Sequence, residues 1–391
     1  MRILWASNAP WTRTGYGHQT RLFVPRLEAL GHEVAIFANY GLAGSILNLS
    51  DTIKVYPAGL HAHGNDIIAS HAAHYKADIV ITLYDSWCFT PDVTARFRWV
   101  PWMPVGLEPL PEHVKQSIQT AWQPIAYSKF GERMLTEAEF EPRYVPHGID
   151  TEAFKPGNKT QARKRFNLDD DTFLAVMVAA NKGFPARKCF PEVLWAWREF
   201  VKKRPNSFLY MHAHSGPELQ GVDIPLLLHK LDMPDKVVGF CDTYQNSGPG
   251  YPDVYMADIY NAADVMLNPS MGEGFGLPIL EAQACGCPVI VTDASSMSEL
   301  CFAGWKVNGQ PFWSPLGAWF TIPNIEEIID ALQMAYKMRG STALAKEARH
   351  GAEPYNVNLV TEEYWKPVLA DIAAELGEVD VLQPVGAEGV L

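Results

Sequence analysis

Glu273 and Glu281, eight positions apart, flank a glycine loop in the run Val265 to Asp293, VMLNPSMGEGFGLPILEAQACGCPVIVTD. The run reads as strand, loop, helix and strand. Val265–Asn268 is apolar, Pro269 to Gly276 cannot hold regular structure, and Leu277, Leu280, Glu281 and Ala284 recur at helical spacing before the apolar Val289–Thr292. Pro278 suits a first helical turn, where its missing N–H costs nothing, and Gly286 closes the helix. Free amides of Gly274, Phe275 and Gly276 at such a helix start form a ready anion site. A carboxylate repels phosphate but accepts hydroxyl hydrogen bonds, so the two acids suit neutral polyols. The layout predicts a sugar at one end, a ribose at the other and a diphosphate between them. A plain glycine turn with two solvated acids is the alternative, and the length of the run argues against it.

Other candidates lie at the ends of apolar runs. Thr172–Ala180 is a nearly continuous buried strand, and Asn181 to Lys188 follows it with Lys182, Arg187 and Lys188. Basic groups there can clamp a diphosphate, Arg as a fork and Lys as a point charge. The strand Arg2–Ala6 leads to Thr14-Gly15-Tyr16-Gly17, a turn that either approaches a phosphate or is simply tight. His147 ends another strand, either facing a cleft or satisfied within the fold. Asp85 and Glu108 are equally readable as acceptor-side polar groups or as loop carboxylates.

These residues need a scaffold of alternating strands and helices. Strands are expected at Glu33–Ala38, Ile53–Tyr56, Asp78–Leu83, Trp99–Met103, Pro124–Tyr127 and Arg143–Val145, then at Ser207–Ala213 and Lys236–Cys241. Helices are expected at His18–Leu30, Cys189–Lys203 and Thr361–Leu376, and Thr243–Pro252 reads as a polar loop. The pattern predicts an α/β fold of doubly wound parallel sheets, with ligands at the carboxyl ends of strands. Pro156 and Gly157 mark a linker. The expected division is a domain over 1–156, a second over 157–355, a crossing helix over 356–376 and a frayed tail over 377–391.

The 391 residues, 48% hydrophobic, suffice for two cores, and the net charge of −12 argues mildly against a general polyanion binder. The first 156 residues carry 13 basic and 15 acidic groups, so that half is close to neutral. No apolar run is long enough for a membrane span or a signal peptide, which predicts a cytoplasmic protein. The six cysteines lack zinc spacing and read as small buried hydrophobes. Asp169-Asp170-Asp171 reads as a turn, and His212-x-His214 lacks a third ligand, so no metal site is expected.

GEGFGLPILEAQACGCPVI resembles the Glu-x7-Glu signature of retaining glycosyltransferases of family 4, on the GT-B fold of two Rossmann-like domains facing a cleft. The resemblance covers nearly the whole chain, strongest over 265–300. It implies that Glu273 contacts the donor sugar and Glu281 the nucleotide ribose. Gly15, Tyr16, Gly17, Asn181, Lys182, Gly274, Phe275, Gly276 and Leu277 are the further donor-side candidates. Glu273, Lys188 and Arg187 are the catalytic candidates, although Asn181 stands where the family carries an Arg. It further implies front-face transfer from a nucleoside-diphosphate sugar, with a UDP-sugar expected, and no cofactor or catalytic metal. The final helix is expected to cross back onto the first domain.

The acceptor is open between a small molecule, glycan or lipid and a hydroxymethylated pyrimidine in DNA. LWASNAPWTRTGYG resembles the opening of bacteriophage-encoded glycosyltransferases. Trp11, Trp87 and Trp102 then become candidate stacking surfaces, with core packing the expected fate of at least two. The DNA reading requires Arg13, Arg21, Arg96, Arg98 and Lys115 to gather at the cleft mouth. A nucleotide-sugar epimerase and a non-catalytic sugar-nucleotide binder are the alternatives of another class.

Overall fold

The computed structural model describes residues 1–183 and 185–382. Its first sheet is built from β1 (Arg2–Asn8), β2 (Glu33–Tyr40), β3 (Leu47–Asn48), β4 (Lys54–Tyr56), β5 (Ile79–Thr82), β6 (Trp99–Met103), β7 (Ile125–Ala126) and β8 (Arg143–Tyr144). Their order is β3-β4-β2-β1-β5-β6-β7-β8, parallel except for the β3–β4 pair. The second sheet holds β9 (Phe173–Val178), β10 (Ser207–His212), β11 (Val238–Phe240), β12 (Val265–Asn268), β13 (Val289–Thr292) and β14 (Gly304–Val307). It is wholly parallel, in the order β11-β10-β9-β12-β13-β14. Each sheet therefore reverses its winding direction once, between β1 and β5 and between β9 and β12. Crevices at the carboxyl ends of strands open at such points.

Two features of the second half depart from the expected elements, and the end of the last helix is a third. Thr243–Ser247 is a short helix rather than a loop, because Asp242 accepts the Gln245 N–H at 2.7 Å and caps it. The segment Trp305 to Phe320 adds an antiparallel hairpin, β15 (Gly309–Trp313) with β16 (Trp319–Pro323), standing off the second sheet.

The last helix, Lys366–Leu382, follows a wider turn at Thr361–Trp365 and packs on the first sheet. Trp365 is fully buried with its ring 5.0 Å from Trp102 and 5.8 Å from Trp5, and Arg143 pairs with Asp371 at 3.0 Å. The helix continues past Gly377, where the tail was expected to start. A lone glycine costs a helix only about 1 kcal/mol. Residues 383–391, the rest of the expected tail, lie outside the described residues.

The second sheet is anchored by a buried ion cluster. Arg163 is 2% exposed, pairs with Asp264 at 2.8 Å and donates to the carbonyls of Ala262, Asp170 and Thr172. Asp264 also accepts the Leu174 N–H at 2.8 Å and pairs with Lys159 at 2.7 Å. Removing one partner strands a buried charge. Arg163→Met is expected to destabilise the protein by about 3–5 kcal/mol in urea unfolding. Arg133→Met, which breaks exposed pairs with Glu108 and Glu137, is expected to cost less than about 1 kcal/mol.

Candidate functional site

Four loops from the two reversal points meet. Asn181–Lys188 follows β9, and Pro269–Gly276 follows β12. Facing them are Thr14–Gly17, after β1, and Asp85, after β5. Thr14 caps the helix Gly15–Ala29 by accepting the Gly17 N–H at 3.0 Å. Gly17 has no room for a side chain beside Thr12, so tight packing explains it, whereas Gly15 looks across at Leu277. Tyr16 and Tyr127 are neighbours in the cleft, and burial raises both phenols well above their ordinary value.

Glu273 is the most constrained of these residues. It is 6% exposed, Arg187 Nη1 donates to Oε2 at 3.0 Å, and Lys188 Nζ bonds Oε1. Arg187 also donates to the Gly272 carbonyl, and its own carbonyl accepts the Met271 N–H at 2.8 Å. Burial pushes Glu273 up, but the two cations outweigh it and hold the carboxyl at about 2. Burial lowers Lys188, and Glu273 partly restores it. From behind, Ser295 Oγ accepts the Glu273 N–H at 2.9 Å, and the Ser296 hydroxyl lies 2.9 Å and 2.6 Å from the carbonyls of Glu273 and Phe275. Across the cleft, a methyl group on Gly106 would come within 2.8 Å of the Glu273 carbonyl carbon, and one on Gly274 within 2.6 Å of Pro104. Glycine at 106 and 274 permits this backbone approach. Among the described residues, the amides of Gly274, Phe275 and Gly276 donate to no protein group, and they stand at the start of the helix Leu277–Ala284.

Glu281 sits in the opposite electrostatic setting. Tyr260 donates its hydroxyl at 3.0 Å, no cation among the described residues pairs with it, and burial with nearby Asp253 raises its carboxyl to about 7. Asp253 joins the two halves, pairing with Arg21 at 2.7 Å and lying 3.8 Å from His18. Burial lowers His18 to about 4.

Several candidates take other roles. Asn181 spends every polar side-chain atom on the 214–222 loop, donating to the carbonyls of His214, Gly216 and Val222 and accepting the Val222 N–H. It positions that loop and has nothing left for a phosphate. Lys182 is exposed and faces Asp85, whose carboxyl burial raises while Arg187 and Lys182 draw it down. His147 is 3% exposed, bonds Gln19 at 3.0 Å and packs against Tyr127 and Phe275, so it is the satisfied histidine. Burial lowers it to about 3. Phe275 is likewise a packing residue between the two halves. Glu108 is exposed and paired with Arg133. Of the three tryptophans, only Trp102 is core; Trp11 is 44% and Trp87 51% exposed, contrary to the expectation that at least two would be buried. Trp11 lies in the loop after β1, its indole donating to the Gly41 carbonyl at 2.8 Å, and Trp87 lies in the short helical turn Ser86–Cys88 with its ring edge-on to His63.

Ser295, Ser296, Asp253, Tyr127 and Tyr260 were not visible as site residues. The only sequence signal was a Ser pair separated from β13 by two residues, opening the helix Ser295–Leu300. Their partners lie on other elements, which spacing cannot show.

Residues 244–337 match the family model of glycosyl transferases group 1. D-inositol 3-phosphate glycosyltransferase 2 of Catenulispora acidiphila is 32% identical over 157 residues, 39% of this chain and 35% of that protein. The chain thus spans about a third of the length of the curated relatives it matches. Sucrose-phosphate synthase from Thermosynechococcus elongatus superposes with a TM-score of 0.71, over 97% of this chain and 100% of that one, at 19% identity. Anabaena Alr3699/HepE in complex with UDP-glucose gives 0.68, over 95% and 100%, at 15% identity. The fold is GT-B. Among the described residues no helix is long and apolar enough to cross a membrane, and no three His, Cys, Asp or Glu side chains are grouped to hold a metal ion.

The clasp on Glu273 has a pH signature. A folded-state value near 2, below the ordinary 4.5, stabilises the fold above pH 4.5, and this contribution disappears as pH falls through 2. Wild type is expected to lose about 3 kcal/mol relative to Glu273→Gln over that window. Parallel stability curves in acid would show that the carboxyl is not held this way.

Proposed function

We propose that the protein is a retaining glycosyltransferase that moves a sugar from a nucleoside-diphosphate sugar to an acceptor hydroxyl. The observation that carries this reading is the set of unpartnered amides at Gly274–Gly276, set between the Arg187–Lys188 pair and Glu281. A diphosphate on these amides gains their hydrogen bonds and the helix dipole. Lys188 and Arg187 reach it by trading part of their contact with Glu273, which leaves that carboxylate free to accept sugar hydroxyls. Glu281, once ionised, accepts the ribose hydroxyls. UDP is the proposed nucleotide, supported by the UDP-glucose complex of the structural neighbour HepE.

In the proposed reaction the acceptor oxygen bonds the anomeric carbon on the face from which the phosphate leaves. The carbon–phosphate-oxygen bond breaks, and the departing phosphate takes the hydroxyl proton. The chain's share is placement and support of the phosphate charge. Lys188, Arg187 and the loop amides carry it, with no catalytic metal in the proposal. Residues 1–156 are proposed as the acceptor half and 157–355 as the donor half.

For the acceptor we favour a small molecule, glycan or lipid over DNA. Arg21 is neutralised by Asp253, Arg13 packs on Gly250, and Arg96 and Arg98 precede β6, at the end of the sheet away from the cleft. These four arginines do not form a basic groove, and Lys115 lies on a separate helix, Glu112–Ser117. The exposed Trp11 and Trp87 suit stacking on any planar or sugar face.

Donor profiling tests the reading: incubation with UDP-, GDP- and ADP-sugars should release free nucleotide with a sugar-bearing product, and turnover should survive EDTA. A changed sugar still on its nucleotide would mark an epimerase instead. Glu273→Gln should lose turnover while keeping affinity for free nucleoside diphosphate.

Glu281 supplies a second test. Ribose binding favours the ionised carboxylate, so UDP affinity is expected to rise about tenfold between pH 6 and 8, through the value of about 7. Glu281→Gln should flatten that profile and lose about 1.5–3 kcal/mol at pH 8. Calorimetry at both pH values reads it, and an unchanged Kd in the variant removes Glu281 from the ribose.

A further inference from the structure

Beyond the Glu273 loop, the cleft continues into a cavity of about 430 Å3 that no step of the proposed reaction uses. Gly106, Glu108 and Phe130 wall it from the first half, and the turn after β13 with the β15–β16 hairpin wall it from the second. Its size lies within the range of small-ligand pockets, roughly 300–1,000 Å3.

The lining has two chemistries. Phe130, Pro311 and Trp319 offer flat apolar faces, whereas Asp293, Ser295 and Asn308 offer polar atoms. Trp319 is 45% exposed, yet it is fixed: its N–H donates to the Glu108 carbonyl at 2.8 Å, and its ring meets Trp313 edge-on at 4.8 Å. The two carboxylates bring no net charge, since Glu108 pairs with Arg133 at 3.1 Å and Asp293 lies 3.8 Å from Lys306. A cation or anion therefore gains little here. A ring with apolar C–H faces and hydroxyl edges matches both surfaces, because carboxylate and amide oxygens accept hydroxyls while an aromatic face covers the C–H side.

We propose that this cavity is a binding site for a neutral sugar ring, separate from the nucleotide site. Its occupant rests against the back of the Glu273 loop. Ser295, which lines the cavity, takes the Glu273 N–H, and Thr321 of the hairpin donates to the Met271 carbonyl at 3.0 Å. The inference stands on this lining and does not require the donor chemistry proposed above.

Two sources offer such a ring, a neighbouring sugar of a glycan acceptor and a free saccharide. Saturation-transfer NMR with methyl α-glucopyranoside, maltose and maltotriose tests the site without turnover, so its failure leaves the donor reading untouched. Transfer to ring protons is expected at a Kd of about 1–10 mM, with and without saturating UDP. Trp319→Ala should weaken binding about tenfold, Trp319→Phe should retain it, and Trp195→Ala, at an exposed position on the helix Phe190–Lys203, should change nothing. Asp293→Asn, at an exposed position that leaves the hairpin intact, should weaken it about fivefold. Tighter binding with chain length assigns the site to a glycan acceptor, and equal binding to a free saccharide. Absence of transfer from all three sugars, transfer that survives Trp319→Ala, or transfer abolished by UDP overturns the proposal.

Discussion

The buried carboxylate of Glu273 sets the terms for the rest of this structure. A charge of that kind is costly without partners, and here Arg187 and Lys188 supply them from the loop after the neighbouring strand. The carboxylate thereby ties two loops across the point where the second sheet reverses. The loop is also pressed against Pro104–Gly106 of the first half and held from behind by Ser295 and Ser296. Held on three sides, it leaves the amides of Gly274, Phe275 and Gly276 without partners among the described residues. The same cations that hold the acid are those assigned to the phosphate in the proposed function.

The second carboxylate shows how far environment decides the behaviour of one residue type. Glu273 and Glu281 bracket the same short loop, yet one is held near 2 by two cations and the other raised to about 7 by burial beside Asp253. The difference divides the site into a cationic end and an end that changes charge near neutrality. A donor whose diphosphate and sugar meet the cationic end and whose ribose meets the other fits that division, and this is the physical basis of the proposed function.

Besides the aromatic packing of Phe275 on Tyr127 and His147, the halves meet backbone against backbone at Gly106 and Glu273, by ion pairing at Arg21 and Asp253, and by capping at Glu299. The Glu299 carboxylate accepts the N–H groups of Lys129 and Phe130 at 3.0 and 3.2 Å, serving the first turn of a helix in the other half. Negative charge at a helix start is favourable, so each of these contacts aligns strand ends from both sheets on one cleft. The cleft then has two compartments, one beside Glu281 and the other beside the hairpin.

Local pattern sufficed for much of this. The apolar runs at Val265–Asn268, Val289–Thr292 and Trp99–Met103 match strands residue for residue, because a buried parallel strand must be apolar on both faces. The glycine loop and its two acids were legible for the same reason: a helix start without capping side chains, after a strand, has few other uses. Partners were not legible. Asn181 occupies the position of a phosphate ligand in sequence, but its amide is consumed by a loop more than thirty residues away. His147 was balanced between cleft and core until Gln19 and Phe275 were seen around it. The short helix at Thr243–Ser247 was hidden in a polar stretch because its cap, Asp242, lies just outside. Which cations clasp Glu273, and what raises Glu281, depend on contacts between elements far apart in the chain. Sequence determined the elements and the glycine loop with its two acids; only tertiary structure decided which charges share a dielectric.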